Sequence, residues 1–403
     1  METFNVKILY CYKFMSHCLP IYAFYTLLFL ERNMNLSAIA VLISLWSAFS
    51  ILFEIPSGVL ADRWNRRNML VVAALVEGAC FFIWSFSDSF ALFALGFFFW
   101  AIGNAFVSGT EESLIYDNLK SDGREDQFST VYGRSRFFAN IGNLVGIAAS
   151  GVLVTFISIE KISLLSAGIC LFNAVLASRL RERNYYASQL NKTAIAVQRT
   201  AKDAIQLFRE NQSSLLILAF LILFASLVTY LDEFDALVVN DFKVDTYWVS
   251  VFLTMRFIFI SIGDLLAPII DRKWQSFKLV FLLYGLGGIF LAVFSALWRP
   301  YAIAVFGLAM MVMSISELLF IKSLQEAVED EGRATVMSFY GAGQNVIMIF
   351  FSLIYGLLTR LVTIQTAYLL FSVYAMVGAA VFFLVFSLIK KTAVAKAKGK
   401  QND

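Results

Sequence analysis

Charged residues are scarce in this chain: Asp, Glu, Lys and Arg together make up 15% of its 403 residues, against about 25% in soluble domains. Apolar residues reach 60%, so most of the chain expects lipid rather than water. Histidine occurs once, at His17, and cysteine four times. Cys11, Cys18, Cys80 and Cys170 fall inside apolar runs, with none of the paired spacings of a zinc site or a secreted disulfide framework, and read as small packing residues. No G-x-x-x-x-G-K-[ST] loop is present, which argues against direct drive by ATP. No basic patch with interleaved aromatics lies outside the apolar runs, so the net charge of +3 does not point to nucleic acid. Nothing calls for a cofactor or a metal. The alternation of barrel strands is missing too, which leaves helices as the way across a bilayer.

Apolar runs lie near 8–30, 36–60, 68–87, 90–116, 131–157, 161–180, 213–239, 246–270, 277–297, 300–321, 335–359 and 364–389. Each is long enough to cross a hydrocarbon core of ~30 Å as a helix of about 20 residues. The expected fold is therefore an all-α membrane protein of twelve transmembrane helices. The first run is expected to stay attached: Lys13 and His17 interrupt it, and no small-residue cleavage site separates it from the second. With the N-terminus inside, the outer loops hold only Arg32, Lys161, Lys243, Arg299 and Arg360, and the inner segments hold most other bases. Both termini are thus expected in the cytoplasm, in the inner membrane of a bacterial cell.

Residues 181–212 are polar and basic, with Ala194, Val197, Ala201, Ala204, Ile205 and Phe208 at helical spacing, as in a surface-lying amphipathic linker. It separates residues 1–180 from 213–390, each with six spans, and 391–403 forms a basic tail. The two parts are related. "EESLIYDNL" (111–119) aligns with "SELLFIKSL" (316–324), "DGREDQFSTVYG" (122–133) with "EGRATVMSFYG" (331–341), and Asp62-Arg63 with Asp271-Arg272. Two pseudo-symmetric six-helix bundles with a site at the repeat interface are a transporter architecture.

The stretch "GVLADRWNRRNML" (58–70) carries Gly58, Asp62, Arg63 and Arg67 in the spacing of a loop signature between helices 2 and 3. In this, and in its twelve spans, repeat and central linker, the chain resembles the major facilitator superfamily. Asn65 stands where the family has its second glycine, a mild change if the turn is left-handed there. The resemblance implies that helices 1, 4, 7 and 10 surround a central cavity and that Asp62 helps hold the outward-open state. Glu54 and Asp264, a similar distance before Asp62 and Asp271, read as gating or packing groups, and Arg272 completes the second signature. The alternative is that the loop arginines only enforce topology. "GNLVGIAASG" (142–151) resembles the glycine-rich signature of drug/proton antiporters, with Ile147 at the usual proline; the alternative is close helix packing. The antiporter arginine of helix 4 is absent.

An ionisable group inside a span costs at least ~2.5–3.5 kcal/mol unless it faces a cavity or a partner. Asn104, Ser108 and Glu111 or Glu112 share one helical face of span 4, and Ser314 and Glu317 repeat it in span 10. Span 7 carries Tyr230, Asp232 and Glu233, and bases stand within spans at Arg134, Arg136 and Arg256. Arg134 aligns with Ala342 and Arg136 with Gln344, so one half holds charge that the other lacks. These bases serve either substrate or coupling, or else ion pairs with Glu111, Glu112 or Asp117. Two residues apart, they point some 200° away from each other on a helix, and Arg136 is expected to face the cavity while Arg134 snorkels or pairs with Asp117. His17 reads as a hydrogen-bonding packing residue, and carboxylates, which can shed the cost of charge by taking up a proton, as the coupling groups.

The expected function is not enzymatic. It is proton-coupled efflux of a small amphipathic, toxic or peptide-like compound by alternating access, giving resistance, with substrate, protons and lipid as partners and a monomer as the working unit. Proton symport for nutrient uptake shares the whole architecture. A non-transporting membrane receptor is the alternative of another class.

Overall fold

The computed structural model describes residues 5–108, 110–182, 212–274, 277–326 and 330–399; the amphipathic linker read at 181–212 lies almost wholly outside them. Among the described residues, twelve helical segments are long and apolar enough to cross a membrane: Val6–Glu31, Leu36–Glu54, Arg66–Phe86, Phe90–Ser121, Glu125–Leu153, Ile159–Ser178, Ser214–Asp232, Tyr247–Arg272, Lys278–Leu297, Pro300–Glu326, Val336–Leu361 and Ile364–Leu388, here spans 1 to 12. Among the described residues there is no strand. The last helix runs Ile364–Gly399, well into the predicted tail.

Local chemistry sets the helix starts. Asn35 Oδ1 accepts from Ala38 N at 2.8 Å and Asn65 Oδ1 from Asn68 N at 3.0 Å, satisfying amides that the first turn leaves unpaired. Asn65 has φ −65°, so the left-handed turn expected there is not formed; the residue serves as an N-cap, a role glycine fills less well. The carboxylate of Glu182, just past span 6, accepts from Arg66 N and Arg67 N at 2.9 Å each, which puts a negative charge on the positive end of span 3.

Among the described residues, three spans are interrupted. Span 1 is helical over Val6–His17, turns through a 3₁₀ segment at Pro20–Ala23, and resumes at Tyr25–Glu31; Pro20 lacks the amide a continuous helix would need. Span 4 consists of Phe90–Val107 and Thr110–Ser121. Span 7 contains a π-turn at Leu221–Ala225, where the Ser226 hydroxyl donates to Leu221 O at 2.8 Å.

Contacts divide the chain into two compact units: Met1–Ala194 with Asp235–Thr254 and Met348–Leu357, and Ile195–Phe234 with Met255–Ile347 and Leu358–Asp403. In the first, Trp84 packs among Phe29, Phe81, Phe97 and Trp100 with ring centroids 4.9–5.8 Å apart. Small side chains join the ends of spans 8 and 11 to it: the Ser37 hydroxyl donates to Gly356 O at 2.6 Å, and the Ser150 and Ser250 hydroxyls meet at 2.7 Å. In the second, Phe220 is surrounded by Phe281, Tyr284, Phe320 and Phe382. With no water to drive apolar groups together inside a bilayer, such close packing is what holds helices to one another.

Candidate functional site

The break in span 4 creates the first site. Thr110–Ser121 begins a new helix, and Glu111 and Glu112 occupy its first turn, where the helix dipole favours acids. Glu111 is buried and its Oε2 lies 2.8 Å from the Lys13 ammonium of span 1. Its other oxygen has no hydrogen-bond partner. Beside this pair opens a cavity of about 450 Å³ lined by Lys13, His17, Ser108, Glu111, Glu112, Tyr132, Arg136 and Asn140. Glu112 and Arg136 are exposed and neither takes part in an ion pair among the described residues, so an acid and a base on different helices both face the same space.

His17 also lines this cavity and is hydrogen-bonded locally: Nδ1 lies 2.9 Å from Ser16 Oγ and 3.2 Å from Lys13 O. Arg134 is exposed and absent from the cavity wall, in keeping with the opposed faces of span 5. Of the two expectations for it, snorkelling or pairing with Asp117, the pair is not formed: Asp117 is paired with Arg66 at the start of span 3.

A second cavity of about 300 Å³ shares Lys13, His17 and Ser108 with the first and reaches Glu77, Asn104, Asn143 and Asn173. Glu77 is a residue that the repeat and the helix-face argument passed over; its signal was a lone acid in "VVAALVEGACFF". Gly142 and Gly146 lie behind: a Cβ on Gly142 would stand 2.2 Å from Phe14 O and one on Gly146 2.9 Å from Leu19 N. These glycines of the antiporter-like stretch let span 5 touch the backbone of span 1 at its break.

The second unit has its own charged cavity, about 300 Å³, lined by Thr229, Asp232, Arg256, Asp264, Ser314 and Glu317. Arg256 is 3% exposed; it is paired with Asp232 and also donates to Val228 O, so the base of span 8 is neutralised within the unit. Tyr340 donates to Glu317 Oε1 at 2.7 Å, and Gln344 Nε2 lies 2.9 Å from Tyr340 Oη and 2.8 Å from Ser226 Oγ. Gln344, the counterpart of Arg136, is thus bound into a hydrogen-bonded chain. Tyr230 turns away from the cavity: it is 2% exposed and donates to Ile222 O at 2.8 Å, bridging the π-turn. Glu233 lines none of these three cavities.

Of the signature residues, Gly58 is exposed and Arg67 partly buried; the side chains of Asp62 and Arg63 lie outside those described. Asp271 is paired with Lys322, and Arg272 is exposed. Glu54 is exposed and apart from the three cavities, whereas Asp264 faces Glu317 across one of them, so similar depth does not give the two acids similar surroundings.

A helical membrane chain with broken spans and buried charges has relatives. A segment of 64 residues is 36% identical to an uncharacterised MFS-type transporter, YfkF, of Bacillus subtilis; it covers 16% of this chain and 15% of that protein. The nucleoside transporter NupG superposes with a TM-score of 0.80 over 95% of this chain and 99% of its own, at 17% identity. A D-xylose-proton symporter does so with 0.71 over 94% and 95%, at 13% identity, and a POT family transporter, PepTSo, with 0.68 over 95% and 98%, at 13%. At such identities the likeness is one of fold. The family model of the Major Facilitator Superfamily matches residues 11–325, and the chain therefore belongs to that superfamily of membrane transporters.

Proposed function

We propose that this transporter is proton-coupled and exports a small zwitterionic or cationic compound. The observation that carries the reading is the pair Glu112 and Arg136, both exposed to one cavity and both without an ion-pair partner among the described residues. An unpaired acid and base on separate walls complement an amine and a carboxylate on one ligand, each charge forming a charge-assisted hydrogen bond. Lys13 and Glu111 neutralise each other beside it and become available only if their bond opens. Protons are the driving ion in this reading because carboxylates line the cavities of both units and no nucleotide-binding loop is present.

Uptake is the second reading. It is favoured by the D-xylose-proton symporter among the structures of the same fold, and the close approach of Gly142 and Gly146 to span 1 gives the glycine stretch a packing role that fits either direction.

The experiment compares cells with and without the protein for growth on a panel of toxic amino acids and short peptides, and follows pH-dye quenching in energised everted vesicles as each compound is added. Export predicts tolerance and a compound-dependent loss of the proton gradient. Sensitisation of the expressing cells, with no gradient loss for any compound, overturns it in favour of uptake.

A further inference from the structure

We propose that the deeper cavity of the first unit binds one monovalent cation, a sodium ion or a proton, on the Glu77 carboxylate with amide oxygens of Asn104, Asn143 and Asn173. Its use in coupling rests on the ion-driven transport proposed above; the binding itself does not.

Glu77 stands in the middle of the helix Arg66–Phe86, between apolar turns. A carboxylate there costs at least ~2.5–3.5 kcal/mol if nothing compensates its charge. Among the described residues no side chain donates a hydrogen bond or an ion pair to it, and the nearby base, Lys13, is held by Glu111 at 2.8 Å. The Glu77 charge is therefore balanced by no side chain among the described residues, which leaves room for a bound cation.

The remaining lining accepts it. Asn104, Asn143 and Asn173 face the same space of about 300 Å³, and their side chains make no hydrogen bond to that wall. Asn173 is 2% exposed, and its Oδ1 is buried without any partner, an expensive state for a carbonyl oxygen unless a ligand satisfies it. The first helix of span 1 ends beside the cavity at His17, turning its negative pole that way. Spans 3 and 4 approach closely at this level, since a Cβ on Gly103 would lie 3.6 Å from that of Glu77. Hard oxygen donors with one negative charge suit a small monovalent ion. A divalent ion draws on several carboxylates, and this wall offers one.

The charged and titratable groups around Glu77 are Tyr12, Lys13 and His17 of span 1, which line the cavity with it, Cys80 of its own span and Cys170 of span 6; Glu111 of span 4 lines the adjoining cavity and is held by Lys13. None is a carboxylate without a partner.

The test uses the purified full-length protein in detergent, with thermal unfolding followed by tryptophan fluorescence. Sodium chloride is compared with choline chloride at equal ionic strength, and acidic with alkaline buffer. If sodium is the occupant, it raises the Tm of the wild type by mass action but not that of Glu77→Gln or Asn173→Ala. If a proton is the occupant, sodium has no effect, acid raises the wild-type Tm, and Glu77→Gln keeps the acid-like value at every pH. Arg134→Ala, remote from the cavity, should respond as the wild type does. Equal sodium and pH responses in the wild type and Glu77→Gln overturn the site; should Glu77→Gln not fold, an unaltered response in Asn173→Ala does the same. Because no substrate enters the measurement, its failure leaves the transport reading standing, and failure of the transport assay leaves this site standing.

Discussion

Asp117 and Lys322 stand at equivalent positions of the sequence repeat and carry opposite charges, yet each is paired with a helix end beside the signature loop of its own half: Asp117 with Arg66 at the start of span 3, and Lys322 with Asp271 near the end of span 8. The two halves thus build the same type of tie with its polarity reversed. Asp117→Arg should weaken the first unit and Arg66→Asp in the same chain should restore it. Partly exposed pairs of this kind are worth up to ~1 kcal/mol, so a small fall in Tm with recovery in the double variant is the expected outcome. Equal losses that simply add would show that the tie is incidental.

The Lys13–Glu111 pair is less forgiving, because both side chains are nearly buried, at 12% and 7% exposure. Lys13→Met leaves a carboxylate without its counter-charge, a change worth ~3–5 kcal/mol, whereas Lys13→Met with Glu111→Gln removes both charges. Solubilised Tm should drop sharply in the first and recover most of the loss in the second. A single variant as stable as the wild type would mean that the pair opens freely.

Arg136→Ala should abolish transport while leaving Tm unchanged, since Arg136 faces the cavity with no ion pair of its own. Arg134→Ala should change neither quantity by much, because Arg66 rather than Arg134 holds Asp117. Transport and detergent stability measured on both variants decide the matter, and the opposite ranking would reverse the two faces of span 5.

Gly142→Val forces a side chain into space held by the Phe14 carbonyl, 2.2 Å from the new Cβ. Folded yield should collapse. Gly168→Ala is the control, because nothing lies within 4 Å of its added carbon. Abundance by fluorescence-detected gel filtration reads both, and normal yield for Gly142→Val would remove the close approach of spans 1 and 5.

Asp62→Asn should reduce transport strongly without impairing insertion, as it removes charge and no apolar surface. Wild-type rates at equal abundance would reduce the signature loop to a topology signal.

The twelve spans were legible because hydrocarbon thickness fixes the length of an apolar run, and Glu111, Glu112, Arg136, Arg256 and Glu317 stood out because charge within such a run needs a reason. Their partners were not legible. Lys13 meets Glu111 across 98 positions, a contact that only the packing of spans 1 and 4 creates. The breaks at Ser108 and at Leu221–Ala225 carry no proline, so the sequence offered no local sign that span 4 would begin again at Thr110 or that Tyr230 would turn inward. Asn65 stands out in the sequence as an exception to the glycine of the signature, but its use as a cap follows only from the helix that begins at Arg66.

The two amide bonds to Glu182 have a mechanical consequence. The carboxylate of Glu182, just past span 6, grips the amides of Arg66 and of Arg67, the latter itself a signature residue. The carboxylate therefore pins the end of span 6 to the first turn of span 3, so those two helix ends hold each other in register. Glu182→Ala should release them: hydrogen exchange at the Arg66 and Arg67 amides should quicken while the interior of span 3 stays protected.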